Sequence, residues 1–187
     1  LARETMLVGV RAETPLTLAV ELCADALADE RVCRSIDEVE AAELVFQCMK
    51  TSPLFGKGKA FCLATAKELY GVFGELDAAC VGRIGGSDKL DEVQRLREAY
   101  AQRKGELLLD RMDLLRRARE KAALGSDPLC RAHYVALSSY RPSELERQLV
   151  NALSENGARL TVVPVDAPEG ETLPAGGWEM TTPKIDP

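Results

Sequence analysis

The chain has 187 residues, a formal net charge of −6 and 46% hydrophobic residues, enough for one large domain or two small ones with a core that needs no staples. With 29% of residues charged, no apolar run approaches the ~20 residues needed to span a bilayer. No charged-then-apolar leader opens the chain, so membrane and secreted classes are set aside.

Thr5 to Val10 is a short apolar, partly β-branched run and predicts a buried strand. Thr14-Pro15 supplies a hydroxyl cap with proline at the first helical position. Leu16, Ala19, Val20, Cys23 and Leu27 then recur at helical spacing to about Asp29. Ser35 and Glu38 have the spacing of a capping box and predict a helix carrying Val39, Ala42 and Met49. Pro53 and Gly56-Lys57-Gly58 break it. A third helical pattern covers about 60–80. After the Gly82–Gly86 loop, a helix is expected from about Asp88 to Lys104, and another from about Leu108 to Leu124. His133–Leu137 then reads as a buried strand. Ser143 and Glu146 open a helix along Leu145, Leu149 and Leu153, and Gly157 is placed to end it. Arg159–Val163 reads as a second strand, so 133–163 predicts a parallel strand–helix–strand crossover. Five of the nine prolines lie from Pro164 onward, which reads as an irregular tail.

The expected fold is α/β: a small parallel sheet built from residues 1–34 and 125–166, a large mostly helical insertion over 35–124, and a tail or linker over 167–187. The six cysteines, Cys23, Cys33, Cys48, Cys62, Cys80 and Cys130, include no C-x-x-C pair and mostly fall in apolar helical patterns, where a thiol acts as a small hydrophobe. This usage points to a reducing, cytoplasmic compartment. With a single histidine and scattered cysteines, no metal site is expected. The chain starts at Leu1 rather than methionine, which reads as a segment of a longer protein.

His133 sits at a strand entrance with no recognisable nucleophile or carboxylate beside it and reads as structural. Ser138-Ser139 stand where open α/β sheets collect ligands, or form a plain polar turn. Gly56-Lys57-Gly58-Lys59 and Gly82 to Lys89 look superficially like phosphate loops. Neither matches G-x-x-x-x-G-K-[ST], and neither follows a strand. The strongest electrostatic feature runs from Arg95 to Lys121, with nine basic residues against five acidic ones. Its Arg95, Arg103, Lys104, Arg111, Arg116, Arg117, Arg119 and Lys121 are the candidate nucleic-acid contacts. The other reading is a solvated face of i,i+4 pairs.

Four stretches carry a resemblance. Glu13-Thr14-Pro15-Leu16-Thr17-Leu18-Ala19 resembles a strand-to-helix passage after a phosphate loop, and Asp37-Glu38-Val39-Glu40-Ala41-Ala42-Glu43-Leu44 resembles the helix start that follows. Tyr100 to Ala118 resembles the end of a helical insertion. Tyr134-Val135-Ala136-Leu137 with Pro142-Ser143-Glu144-Leu145-Glu146-Arg147 resembles the strand and helix around a second helicase motif. The family so resembled is the AddB-type component of bacterial AddAB-type ATP-dependent helicase/nucleases, relatives of the UvrD-like superfamily 1 helicases, and the likeness spans about 5–166.

The resemblance implies a partial P-loop-helicase-like fold and a parent protein that processes DNA double-strand ends for recombinational repair beside a second helicase/nuclease subunit. The parent could use ATP and magnesium. This chain has no phosphate loop, and Ser138-Ser139 replace the paired acids that hold magnesium in active helicases. No catalytic, cofactor or metal residue is therefore carried over, and the segment itself is expected to be no enzyme. Its role would be scaffold, DNA contact or partner contact. The rival reading is a stand-alone α/β nucleotide or small-molecule module with a helical lid and a pocket near Leu137 and Val163.

Overall fold

The computed structural model describes residues 13–28 and 33–163; the expected strand over Thr5–Val10 and the tail from Pro164 lie outside them. The protein is α/β and mostly helical, with two small parallel sheets.

Thr14 caps α1 (Pro15–Leu22), accepting from the Thr17 amide. The helix breaks at Cys23 and resumes as the single turn α2 (Ala24–Leu27). Strand β1 (Arg34–Ser35) pairs in parallel with β2 (Leu108–Leu109). The sequence pattern does not signal this short ladder, and it moves two expected helix starts. Ser35 lies in the ladder instead of capping a helix. Asp37 caps α3 (Glu38–Met49) instead, with its carboxylate accepting from the Val39 and Glu40 amides at 2.8 Å. Likewise Asp110, not Leu108, leads into α6 (Arg111–Ala123). In both places a carboxylate that takes two amides outcompetes the earlier residue, whose backbone the ladder already uses.

A 3-10 turn (Gly58–Ala60) precedes α4 (Leu63–Ala78), and Ser87 caps α5 (Asp88–Lys104). The second sheet is β3 (His133–Leu137) paired with β4 (Arg159–Val163), joined by α7 (Glu144–Glu155). Their register is parallel, from His133 against Arg159 to Leu137 against Val163, as the strand–helix–strand pattern predicts. The described strands do not merge into one sheet.

Two apolar clusters hold the fold. One joins α1, α6 and α7 through Leu22, Leu115, Leu145, Leu149 and Leu153. The other joins α3, α4 and α5 through Val45, Met49, Phe73, Leu96 and Tyr100. Each fully buried leucine contributes roughly 1.5–3 kcal/mol. Helix α6 thus packs with the elements that flank the helical segment in sequence. Cys23, Cys33, Cys48 and Cys130 are buried in these clusters or against them. Burial pushes the thiols of Cys23, Cys48 and Cys130 up, which keeps them protonated and unreactive.

Candidate functional site: the basic helices, the strand ends and a cleft

The basic segment falls on α5 and α6, and most of its charges turn toward partners within the molecule. Lys104 is buried, with its ammonium 2.7 Å from Asp110 and bonded to Asp113 as well. It also stands 5.1 Å from the centre of the Tyr100 ring, a cation–π distance. Tyr100 donates its hydroxyl to Asp110 at 2.8 Å. Burial and the neighbouring Asp110 charge push the Tyr100 hydroxyl far up, so it stays a donor. Lys104 therefore lies in the core, not on a phosphate-facing surface.

Arg116 continues the chain of charges. It reaches Asp113 at 3.0 Å and Asp77 of α4 at 2.9 Å. Asp77 in turn pairs with Arg97, which also donates to the Val81 and Gly82 carbonyls at 3.0 and 2.8 Å. Arg95 grips Glu92 through two nitrogens, each at 2.7 Å. Glu92 is 7% exposed and also accepts from the Ser52 hydroxyl. The fork of Arg95 holds the Glu92 carboxyl below the usual range against the opposing effect of burial.

The remaining cations are tied more loosely. Arg117 donates to the Glu106 carbonyl at 3.0 Å, Arg119 to Gln148 at 2.8 Å, and Lys121 pairs with Asp25 at 3.1 Å. Arg111 is more than half exposed and reaches Glu146 at 3.4 Å. Arg103 is exposed and has no ion-pair partner among the described residues. Of the eight candidates, Arg103 and Arg111 are the two most open to a ligand; Arg95 is held within α5 by Glu92, and the other five serve mainly as ties between elements.

The sequence reading missed the acids that take these charges, Asp77 and Glu92. For Lys104 a signal was present. Val93, Leu96 and Tyr100 mark the buried stripe of α5, and Lys104 lies four residues beyond Tyr100 on the same stripe.

At the strand ends, the Ser138 amide continues the ladder to the Val163 carbonyl at 2.9 Å, and Arg141 donates to the Ser138 carbonyl at 2.5 Å. Ser138 and Ser139 belong to a turn before α7. His133 bonds Thr161 across the sheet at 2.8 Å. The two glycine-rich loops join helices, not a strand to a helix. At Gly56 the backbone passes so close to the end of α3 that a Cβ would collide with the Ser52 carbonyl oxygen and lie 2.6 Å from that of Met49.

A cleft of about 630 Å³ opens between α1, α4 and the starts of α3, α6 and α7. Neither Leu137 nor Val163 lines it. Three helix starts face it, yet each is capped from within. Asp37 serves α3, Asp110 serves α6 and Ser143 serves α7, all as reciprocal capping boxes. The caps take two first-turn amides at α3, two at α6 and one at α7, which leaves fewer of them for a phosphate. Arg111 is the one cation of the lining, against Asp37, Glu38, Glu75 and Glu146. That balance is unfavourable to a nucleotide's phosphates.

No helix of the described residues is long and apolar enough to cross a membrane. Compared with known protein families, curated proteins and solved structures, the chain matches none.

Proposed function

We propose that this chain is part of an AddB-type component of a bacterial DNA helicase/nuclease, acting in double-strand-end processing, with a scaffold and partner-contact role and no chemistry of its own. The observation that carries the reading is the parallel β3–α7–β4 unit whose first strand runs into Ser138-Ser139. In a working motor the residues after that strand are acids that hold magnesium; Ser138 and Ser139 bring no carboxylate to that place. A partial P-loop-helicase-like sheet accounts for this unit.

The ion-pair chain favours scaffold over DNA contact. Lys104, Arg116 and Arg97 join α4, α5 and α6 through Asp113 and Asp77. Any direct role toward DNA rests on Arg103 and Arg111. The parent protein would bind ATP, magnesium, DNA and a second helicase/nuclease subunit. The cleft favours a second reading, a small-molecule module, but its acidic lining points away from nucleotides and toward neutral or cationic ligands.

The complete reading frame tests the first reading. A phosphate loop encoded before residue 1 and a nuclease domain encoded far beyond residue 187 are expected. A frame with neither sinks it.

A further inference from the structure

The twenty-four residues from Leu44 to Lys67 contain no aspartate or glutamate, in a chain with 30 acids and a net charge of −6. They hold four lysines, Lys50, Lys57, Lys59 and Lys67. Lys67 leans on Glu38 at 3.9 Å. The other three are exposed and have no ion-pair partner among the described residues, and the same is true of Arg103 on α5.

The fold gathers these four cations around the end of α3. Lys50 is the residue on which α3 stops. The loop then turns back on that end: the Gly56 amide donates to the Ser52 carbonyl at 3.0 Å, and a Cβ at Gly56 would meet the carbonyls of Met49, Lys50 and Ser52. Lys57 follows directly, and Lys59 stands in the 3-10 turn after it. Phe61 closes that turn by stacking on Phe46 of α3, with ring centres 4.5 Å apart. From α5, Glu92 accepts from the Ser52 hydroxyl of the loop. Arg103 stands three turns further along the same face of α5, and its charge reaches the Cys48 thiol in the last turn of α3.

Little negative charge opposes them. Glu92 is buried and offset by the fork of Arg95. Asp91 lies against Gly85, and Glu98 accepts from Gln94, which in turn accepts from the Ile84 amide, so both acids turn toward the Gly82–Gly86 loop. Glu43, two turns before Lys50, and Asp88, one turn before Glu92, stand at the border. A ligand within a Debye length of about 8–10 Å meets this local balance and not the net charge of the chain. The rings of the loop, Phe55 and Phe61, pack against the cluster of α3, α4 and α5. No fully exposed ring of the loop is left to stack on single-stranded bases. Exposed cations without rings suit a phosphate backbone and carry no base readout.

We propose that Lys50, Lys57, Lys59 and Arg103 form a surface that holds the backbone of duplex DNA without sequence preference. The choice of DNA among polyanions rests on the helicase/nuclease reading; the cationic surface does not.

Fluorescence anisotropy of the whole chain with a labelled duplex of about twenty base pairs tests it. The wild type should bind at low salt and lose affinity as salt rises. Lys57→Gln with Lys59→Gln and Arg103→Gln should weaken binding about tenfold or more at low salt and reduce the salt slope by roughly 2–3. Arg131→Gln with Arg159→Gln, exposed cations before β3 and at the start of β4, should change neither, and a duplex of different sequence should bind equally. Wild-type affinity in the triple variant, an equal loss in the control pair, or no binding at low salt overturns the inference. So does polyglutamate that binds more tightly than DNA at equal charge, which assigns the surface to an acidic protein. Binding that appears only after removal of residues 164–187, which carry five acids against one lysine, overturns it too, because that segment would then be the occupant. None of these results touches the helicase/nuclease reading, which the reading frame tests. A frame with neither phosphate loop nor nuclease domain, beside duplex binding lost in the triple variant, sinks that reading and keeps the surface.

Discussion

The ammonium of Lys104 lies 2.7 Å from the carboxylate of Asp110, the residue that caps α6, so the end of one helix is locked to the start of the next. Asp110 accepts from the Met112 and Asp113 amides at 2.9 and 3.0 Å while it receives Lys104 and Tyr100. The lock joins the two apolar clusters, because α5 belongs to one and α6 to the other.

Removing one side of a buried pair leaves the other uncompensated. Lys104→Met should destabilise the protein by about 3–5 kcal/mol, read as a lower urea midpoint. Arg103→Met, one residue away and exposed, should change stability by less than about 0.5 kcal/mol. Equal effects of the two would contradict the inward placement of Lys104.

The ion-pair chain also changes how charge reversal on α6 is interpreted. Arg116→Glu faces Asp77 and Asp113, so it should unfold or loosen the α4–α6 contact before it reports on DNA. A DNA-binding test is cleaner with Arg103→Glu and Arg111→Glu. These should leave the thermal midpoint nearly unchanged, and they lower DNA affinity only if the exposed cations touch phosphate, with a smaller salt slope as the signature.

Glu92 gives a pH prediction. Its carboxyl is held below the usual value, chiefly by Arg95. A depressed carboxylate contributes stability above the unfolded value of about 4.3, and the contribution is lost as pH falls through the lower folded value. Urea unfolding of the wild type should therefore show a steeper loss of stability between about pH 5 and 3 than Glu92→Gln. Parallel curves would place the Glu92–Arg95 pair in solvent.

Glycine substitutions divide sharply. Gly71 and Gly74 sit within α4, with open space where a Cβ would point. Alanine at either should stabilise by about 0.5–1 kcal/mol through helix propensity. Gly56→Ala should cost about 1–3 kcal/mol, because the added carbon meets two backbone carbonyls that cannot turn away. Thermal unfolding of the three variants checks both signs.

Much of the helical order was legible in the sequence because it is written in local chemistry. Thr14-Pro15 and the Ser143/Glu146 box both mark true helix starts. The parallel pairing of 133–137 with 159–163 followed from two apolar runs around a single helix. The β1–β2 ladder was not legible, since two-residue strands have no period and their pairing joins residues more than seventy apart in sequence. Strand β3 was expected to be buried, yet Val135 and Leu137 face outward. An apolar run shows that a face can be covered, not that it is. The candidate basic site was legible as a count of charges and illegible as geometry. Only the fold brings Asp77 to Arg97 and Arg116, across about twenty and forty residues of chain.

The most direct measurement of the proposed function is ATP-dependent loss of linear duplex DNA, set against covalently closed circular DNA. The sample is the protein expressed from its complete reading frame together with its second subunit. The account predicts degradation of the linear form alone, retained when Ser138 and Ser139 are both replaced by alanine because the account gives them no part in the chemistry. Equal indifference to both DNA forms, with and without ATP, would contradict it.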